Sequence, residues 1–199
     1  MLKSRSLMAK HVPPAPPVRL RAPHAGKRPL HVVLVEPEIP PNTGNVARLC
    51  AATGCPLHLV GRLGFRIDAH AVRRAGLDYW HLVELHQHRT LAEAEANVRA
   101  LALPGERAPR TYLFSGHATR SLFDVRFERG DLLVFGRESV GLPEELLEER
   151  ADDVVGIPMP GPVRSLNLAN AVAIAVYEAL RSLGALAATE RSPGAVSAR

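Results

Sequence analysis

Short apolar runs alternate with longer stretches of mixed polarity from residue 30 onward. The first run, Leu30-His31-Val32-Val33-Leu34-Val35, is nearly continuous in apolar residues, which is typical of a strand buried on both faces of a parallel sheet. Comparable runs predict five further strands, at residues 57–60, 82–85, 111–114, 132–135 and 154–157. Between them the sequence predicts helices at residues 45–52, 69–75, 90–101, 143–149 and 166–183.

Strands that alternate with helices at this spacing predict an α/β fold, an open sheet with helices on both faces. In such sheets, ligands bind beyond the carboxyl ends of the strands. The chain shows no internal repeat and no obvious second domain. We therefore expect one globular domain at residues 30–184.

The positive charge is concentrated at the amino end. The formal net charge is +5, and seven basic but no acidic side chains fall within the first 30 residues. Without these seven, 18 basic side chains stand against 20 acidic ones, so the isoelectric point is weak evidence for RNA binding. Residues 1–29, rich in Pro, Arg and Lys, are expected to form a flexible arm that either contacts RNA or has no role. Residues 185–199 are expected to form a flexible tail.

The two cysteines and the hydropathy pattern indicate the cellular setting. Cys50 and Cys55 match neither a zinc site nor a disulfide framework, so we expect two buried apolar side chains. No apolar run approaches the ~20 residues of a membrane span. The prolines at 13, 14, 16 and 17 exclude a signal-peptide core. These features predict a cytoplasmic protein.

Three loops that follow predicted strands have unusual compositions, and the first runs from Glu36 to Arg48, EPEIPPNTGNVAR. Its three prolines stiffen the loop and Gly44 permits a tight turn. An Asn or Thr is expected to cap a helix that carries Arg48 in its first turns. A helix start beside a guanidinium can bind phosphate. An ordinary capped loop with a solvated arginine is the alternative.

The second loop follows the run at residues 132–135 and reads GRESVGLP. Gly136 and Gly141 leave bare backbone against which a flat ligand fits, and Glu138 places a carboxylate at the carboxyl end of a strand. This glycine spacing is not the dinucleotide-binding fingerprint. A structural turn is the alternative.

The third loop, IPMPGPVRSLNLANA at residues 157–171, delivers Ser165 and Asn167 to the start of an apolar helix. Asn170 and Tyr177 lie seven positions apart and therefore share a face. We expect that face to be the inner one, where polar groups need partners. Helix capping and a satisfied core tyrosine would explain each residue singly, but explain the set poorly.

Together the three blocks, in this order and spacing, resemble the SPOUT-class RNA 2'-O-methyltransferases of the SpoU superfamily. The similarity is strongest to the small single-domain branch that methylates the ribose of the tRNA wobble nucleotide. It covers about residues 30–184 and includes EPEIPPNTGN at residues 36–45 and RAGLDYW at residues 74–80. The chain departs from this branch in its long amino-terminal arm and in Arg137, where close relatives often carry another residue.

The resemblance implies a six-stranded, mostly parallel sheet and a deep carboxyl-terminal trefoil knot, which general topological rules disfavour. It also implies an obligate homodimer that binds S-adenosylmethionine in the knot and methylates nucleotide 34, a cytidine or uridine derivative, in the anticodon loop of tRNA. The implied cofactor-binding residues, acting chiefly through backbone groups, are Phe114, Gly136, Ile157 and Ser165, with residues 115–117 nearby. The implied catalytic residues are Arg48, Asn45, Glu138, Asn167 and Tyr177, with Asn42 as a further motif asparagine.

Methyl transfer is an in-line displacement at an activated sulfonium carbon, so the protein mainly aligns a ribose 2'-hydroxyl and helps it lose a proton. We expect no metal. Arg48 is a poor base because guanidinium hardly deprotonates, so we assign it as an electrostatic clamp on the flanking phosphate and the developing alkoxide. Glu138 is expected to orient Arg48, and Tyr177 to position substrate or Asn167.

Basic side chains outside the arm are candidates for phosphate contacts or a solvated surface: Arg62, Arg66, Arg73, Arg74, His117 and Arg120. Two rival functions stay open. One is the same chemistry on another tRNA or rRNA nucleotide, and the other is a non-catalytic RNA-binding protein with this fold. A nucleotide-dependent α/β enzyme is excluded by the lack of a P-loop and of a dinucleotide fingerprint.

Overall fold

The structure, a computed structural model, describes residues 28–65, 82–102, 105 and 107–186. The predicted helix at 69–75, nearly all of the basic arm and most of the carboxyl-terminal tail lie outside these residues. The six strands are β1 (His31–Val35), β2 (Leu57–Val60), β3 (Leu85–His88), β4 (Thr111–Phe114), β5 (Leu132–Phe135) and β6 (Val154–Val155). The described α-helices are α1 (Pro40–Thr53), α2 (Leu91–Leu101), α3 (Glu144–Glu149) and α4 (Leu168–Ser182).

All strand pairings in the sheet are parallel, in the order β3-β2-β1-β5-β4-β6. The central pair joins β1 to β5, with His31 opposite Leu132 and Leu34 opposite Phe135. Nearly every side chain of these two strands is buried, as the continuous apolar runs predicted. The predicted six-stranded α/β sheet is confirmed.

Helices cover both faces of the sheet, again as predicted. On one face α1 and α4 pack against side chains such as Leu34 and Phe135. On the other face α2 and α3 cover side chains such as Val33 and Val134. Cys50 and Cys55 are both buried in the first of these cores. Burial raises the pKa of the Cys55 thiol to about 11, so it stays protonated and behaves as a small apolar side chain.

The third strand begins at Leu85 and not at residue 82, so the predicted strand at 82–85 is wrong by three positions. Pairing with β2 sets its register, with Leu57 opposite Leu85 and Val60 opposite His88. Leu82 is instead exposed. The sequence around residue 85 is compatible with a strand at 82–85 or at 85–88, and the pairing with β2 determines which one forms.

The first helix begins five residues earlier than predicted, because Pro40 and Pro41 occupy its first two positions. Proline is favoured there, since its fixed φ suits a helix and no N–H is needed. Ile39 is the N-cap and makes no side-chain capping hydrogen bond, so the predicted Asn or Thr cap is wrong. Arg48 therefore lies about two turns into α1 and not in its first turns.

Imidazole rings form a hydrogen-bonded row across the amino-terminal half of the sheet. His31 Nδ1 lies 2.9 Å from His58 Nε2, and His58 Nδ1 lies 3.0 Å from His88 Nε2. The rings of His86 and His88 both stack on His58. Burial lowers the pKa of His31 to about 4 and that of His58 to about 2. Both rings are therefore neutral in the folded protein near neutral pH.

We expect the row to make the protein acid-sensitive well above the range in which carboxylates titrate. In the unfolded chain these histidines bind protons below pH about 6.5, whereas in the folded protein they resist protonation. The free energy of unfolding should thus be highest above pH 6.5, where these histidines are neutral in both states, and should decline as the pH falls towards 4. The free energy of unfolding in urea should drop by about 2–4 kcal/mol between pH 7 and pH 5.

The matched variant is His58→Leu, which removes the ring with the most strongly lowered pKa. Its free energy of unfolding should depend less on pH over the same interval, whatever its absolute stability. A flat wild-type profile from pH 7 to pH 5 would show that the buried imidazoles do not resist protonation.

Candidate active site

Loops from the adjacent strands β1, β5, β4 and β6 leave the sheet at the same edge. Because all strands are parallel, their carboxyl ends bring together residues 36–39, 136–143, 115–121 and 156–167. The three blocks of unusual composition therefore lie side by side, although more than 100 residues separate the first from the third. This is the edge at which α/β sheets bind ligands.

Gly136 allows the loop after β5 to fold back on itself. The loop closes through two hydrogen bonds between Arg137 and Gly141, one in each direction, at 3.1 and 2.9 Å. A Cβ atom at position 136 would lie 2.1 Å from the carbonyl carbon of Gly141 and 2.2 Å from the nitrogen of Leu142. Only glycine fits here, so the loop presents bare backbone at the edge.

Acidic side chains lock the loop after β1 to the loop after β5. The Glu138 carboxylate accepts hydrogen bonds from the backbone N–H groups of Glu38, at 2.8 Å, and Ile39, at 3.2 Å. In the other direction, Glu38 accepts hydrogen bonds from both the N–H and the hydroxyl of Ser139. An ion pair between Arg137 and Glu36 is a further link. Glu138 thereby accepts the N–H groups of the N-cap residue Ile39 and of the residue before it, and fixes the segment that leads into α1.

A chain of polar side chains extends from this lock to the third block. Asn42, which is buried, donates to Glu138 at 2.9 Å. Its amide oxygen accepts a hydrogen bond from Asn167 at 3.0 Å. Asn167 is the N-cap of α4 and accepts from the N–H of Ala169 at 2.9 Å. The chain Glu138–Asn42–Asn167 therefore fixes all three loops relative to one another.

The loops after β4 and β6 form the opposite side of the site. The N–H of Ser115 donates to the carbonyl of Val155, and a Cβ at Gly156 would lie 3.0 Å from Ala118. A Cβ at Gly116 would lie 3.5 Å from the carbonyl oxygen of Arg164. The loop from 115 to 118 thus lies directly against the segment that leads into α4.

Of the predicted cofactor-binding residues, Phe114, Gly136, Ile157 and Ser165 all lie on loops or strand ends at this edge. Phe114 stacks on Phe135 with ring centroids 4.5 Å apart, and Ile157 is half-buried beside them. Ser165 is exposed in the segment before α4. The two stacked rings are buried and support the strand ends from below, while the half-buried Ile157 and the bare backbone suit a ligand with a flat heterocycle and a polar tail.

The predicted catalytic residues fall into two groups. Glu138 and Asn167 belong to the polar chain, whereas Asn45 and Arg48 are exposed on α1, one helical turn apart. Tyr177 is 49% exposed on α4, and Asn170 is exposed on the same side. The expectation that these two point inward is wrong. The face of α4 that packs on the sheet carries Leu168, Val172, Ala175, Val176 and Ala179.

Glu36, Glu38 and Ser139 link the first two loops, and none of them was predicted as a site residue. Spacing along the chain gives no sign of contacts between residues that are about 100 positions apart. The only signal was two acidic side chains in a proline-rich loop that has no basic neighbour until Arg48.

Residues 29–177 match the model of a protein family described as the SpoU rRNA methylase family. The chain belongs to this family. It is 48% identical over 155 residues to the tRNA (cytidine(34)-2'-O)-methyltransferase of Acidovorax sp. (strain JS42), across 76% of this chain and 90% of that protein. The family membership confirms the resemblance drawn from the three blocks.

Solved structures of SpoU-type proteins share the fold. One, described as giving structural insights into the 2-OH methylation of C/U34 on tRNA, is 52% identical with a TM-score of 0.67 and covers 78% of this chain and 96% of its own. Another is the SpoU methyltransferase AviRb from Streptomyces viridochromogenes in complex with the cofactor AdoMet. It is 28% identical with a TM-score of 0.65, over 78% of this chain and 58% of that one.

Gly136→Ala should destabilise the SpoU fold, because the new methyl group would overlap the backbone of Gly141 and Leu142. We expect a loss of at least about 2 kcal/mol in the free energy of unfolding, measured in urea. Gly161→Ala is the matched control, since a Cβ there meets nothing within 4 Å. It should change stability by less than about 0.5 kcal/mol. Equal stability of the two variants would contradict the close packing of this loop.

Proposed function

We propose that this chain transfers a methyl group from S-adenosylmethionine to the ribose 2'-hydroxyl of nucleotide 34, a cytidine or uridine derivative, in the anticodon loop of tRNA. The observation that carries the proposal is the Glu138–Asn42–Asn167 chain, which joins the three loops into one site. The site lies in a chain that resembles, over nearly their whole length, proteins named for this reaction.

The cofactor would lie on the bare backbone of the loops after β4, β5 and β6. Ile157 offers apolar surface for a purine ring and the backbone at the end of β4, at Phe114, lies beside it, while Gly136 and Ser165 offer close backbone approach and a hydroxyl. S-adenosylmethionine supplies an activated methyl group when it is bound. The residues of the chain then have to hold a ribose hydroxyl in line and stabilise the charge that develops on it.

Arg48 is the candidate for that electrostatic role, with Asn45 one turn away on the same exposed side of α1. A guanidinium can bind the flanking phosphate and the developing alkoxide together through its planar fork. Glu138 is a positioning residue, because it fixes the start of the helix that carries Arg48. A hydrogen bond from the Arg48 guanidinium to the Glu138 carboxylate stays a prediction.

The course of the chain after β6 supports the knot as a proposal. Strand β6 pairs only with β4 at the sheet edge among the described strands, yet α4 packs back over α1 and β5. The connecting segment passes against the loop at 115–118 on its way. A crystal structure in which residues 111–182 form no loop that another part of this segment threads would exclude the knot.

We propose a homodimer formed through the layer of α1 and α4, in which the partner subunit helps complete each site. Ile174 is 38% exposed and Tyr177 is 49% exposed on the outer face of α4, although both are large and partly or wholly apolar. Tyr177 would then position substrate from this interface. Sedimentation equilibrium that found only monomer at assay concentrations would exclude this arrangement.

The domain boundaries of the proposal are a methyltransferase domain at residues 30–184, a basic arm at 1–29 and a tail at 185–199. No helix among the described residues has the length and apolarity needed to cross a membrane. We place the reaction in the cytoplasm. Limited proteolysis should trim both ends and leave the domain, and cleavage inside it at equal rates would contradict these boundaries.

The direct test is to incubate the protein with labelled S-adenosylmethionine and total tRNA, and to map the label by nuclease digestion and mass spectrometry. The expected product is a 2'-O-methyl group at nucleotide 34. A label at another nucleotide would favour the first rival function, the same chemistry on a different target. Tight cofactor binding without any transfer would favour the second, a non-catalytic RNA-binding protein.

Arg48→Lys tests the electrostatic clamp. Lysine keeps the charge but lacks the bidentate fork, so we expect kcat to fall by about 10- to 100-fold. Cofactor affinity, measured by calorimetry, should be unchanged because the predicted cofactor loops lie on β4, β5 and β6. Near-full activity of this variant with normal cofactor affinity would remove the basis of the clamp.

A further inference from the structure

A cavity separate from the candidate active site opens at the carboxyl edge of the sheet, on the side away from β4 and β6. It lies over the ends of β1, β2 and β3 and has a volume of about 570 Å³. That volume is within the range of sites that hold small molecules or single nucleotides. It lies on the edge where ligands bind in α/β folds, yet none of the predicted cofactor-binding or catalytic residues lines it.

Two exposed arginines give this cavity a cationic rim. Arg62 follows β2 and Arg89 follows β3. Within the residues that the structure describes, neither guanidinium takes part in an ion pair. Two carboxylates also line the cavity: Glu36 pairs with Arg137, whereas Glu93 accepts the backbone N–H of Arg89 at 2.8 Å and keeps its charge. Because Glu36 is paired, the charges of Arg62 and Arg89 outweigh that of Glu93, and the two guanidinium groups can bind an anion such as a phosphate.

Part of the floor of the cavity is formed by apolar side chains and an imidazole ring, among the polar side chains of Glu36, Gln87 and Glu93. Leu59 is buried, Leu63 is half-buried, and the His88 ring is held by its 3.0 Å contact with His58. Gly61 has a φ of +77°, and a Cβ there would lie 2.7 Å from Cγ of Glu36. Flat rings stack readily on such surfaces without a strong preference for one base.

Glu36 forms a wall shared between this cavity and the candidate active site. Its carboxylate lines the cavity and also pairs with Arg137, the residue directly after Gly136 in the loop proposed to hold the cofactor. An occupant of the cavity would thus lie one ion pair away from that loop.

We propose that this cavity is a subsite for a second nucleotide of the substrate RNA. Its phosphate binds Arg62 and Arg89, and its base, turned out of the loop, lies against the part-exposed side chains of Leu63 and His88. The inference rests on the proposed function, since it assumes that the substrate is a single-stranded RNA loop. It assigns to the catalytic domain itself part of the RNA binding that the basic arm would otherwise have to provide.

The test compares two double variants of the full chain. Arg62→Ala with Arg89→Ala removes the cationic rim, and Arg126→Ala with Arg129→Ala removes two exposed arginines that precede β5, at the opposite edge of the sheet. Binding of unmodified tRNA is measured by fluorescence anisotropy at several salt concentrations. The rim variant should bind at least about 10-fold more weakly and lose roughly one unit of salt slope, whereas the control should stay within about 2-fold.

Anticodon stem-loops with an abasic site at each loop position other than 34 identify the nucleotide involved. In wild type, one abasic position should weaken binding about 10-fold, because stacking of that base is lost. In the rim variant the same abasic position should cost less than about 2-fold, since the nucleotide is no longer held. The subsite would be overturned if both double variants lost the same affinity for tRNA. It would also be overturned if every abasic position weakened binding equally in wild type and in the rim variant.

Failure of the proposed function and failure of the nucleotide subsite give different results. A methyl group mapped outside nucleotide 34 would refute the proposed position of the reaction, but it would leave the binding comparison between rim and control intact. Methylation at 34 with identical tRNA binding by both double variants would refute the subsite alone. Unchanged cofactor affinity and melting temperature of both variants would show that they are folded.

Discussion

The parallel pairing of β1 with β5 is the contact on which the candidate site depends. These strands are far apart in sequence, yet their pairing aligns His31 with Leu132 and Leu34 with Phe135. The two loops therefore leave the sheet at the same level, and Glu138 reaches the backbone of a residue 100 positions earlier. Both strands are buried on both faces, so the hydrophobic effect holds this pair at the centre of the sheet, and the observed register brings the two loops together.

The N–H groups just before α1 find their hydrogen-bond acceptor in a residue about 100 positions away in sequence. Two prolines begin the helix efficiently but leave no side-chain cap, and the preceding N–H groups of Glu38 and Ile39 still need acceptors. The Glu138 carboxylate supplies them, and the negative charge also interacts favourably with the helix dipole. The Glu138 carboxylate therefore lies at the entrance to α1, whereas Arg48 is exposed farther along the helix.

The strands were the most predictable part of this chain. Short, largely apolar runs predicted four strands at their observed positions, because such runs are buried in a folded domain. These are residues 31–35, 57–60, 111–114 and 132–135. The strand at Leu85–His88 could not be placed the same way. Its histidines look polar in isolation, and only their stacking on His58 makes them suitable for a sheet.

The site was predictable in its residue types but not in its contacts. Gly136 and Glu138 were recognisable as unusual residues after a buried strand, whereas the partners of Glu138 became visible only once β1 and β5 were paired. The side of α4 on which Tyr177 lies depends on which apolar stripe meets the sheet, and this helix is apolar over much of its circumference. The cofactor and the nucleotide acted upon came from family resemblance, since spacing and charge did not define them.

The polar chain through Asn42 and Asn167 also has a consequence for biosynthesis, because its members are 125 residues apart. At elongation rates of about 5–20 residues per second, Asn42 is made roughly 6–25 s before Asn167. Glu138 is made within that interval, 96 residues after Asn42. The three loops can therefore be joined only after the start of α4 has been synthesised.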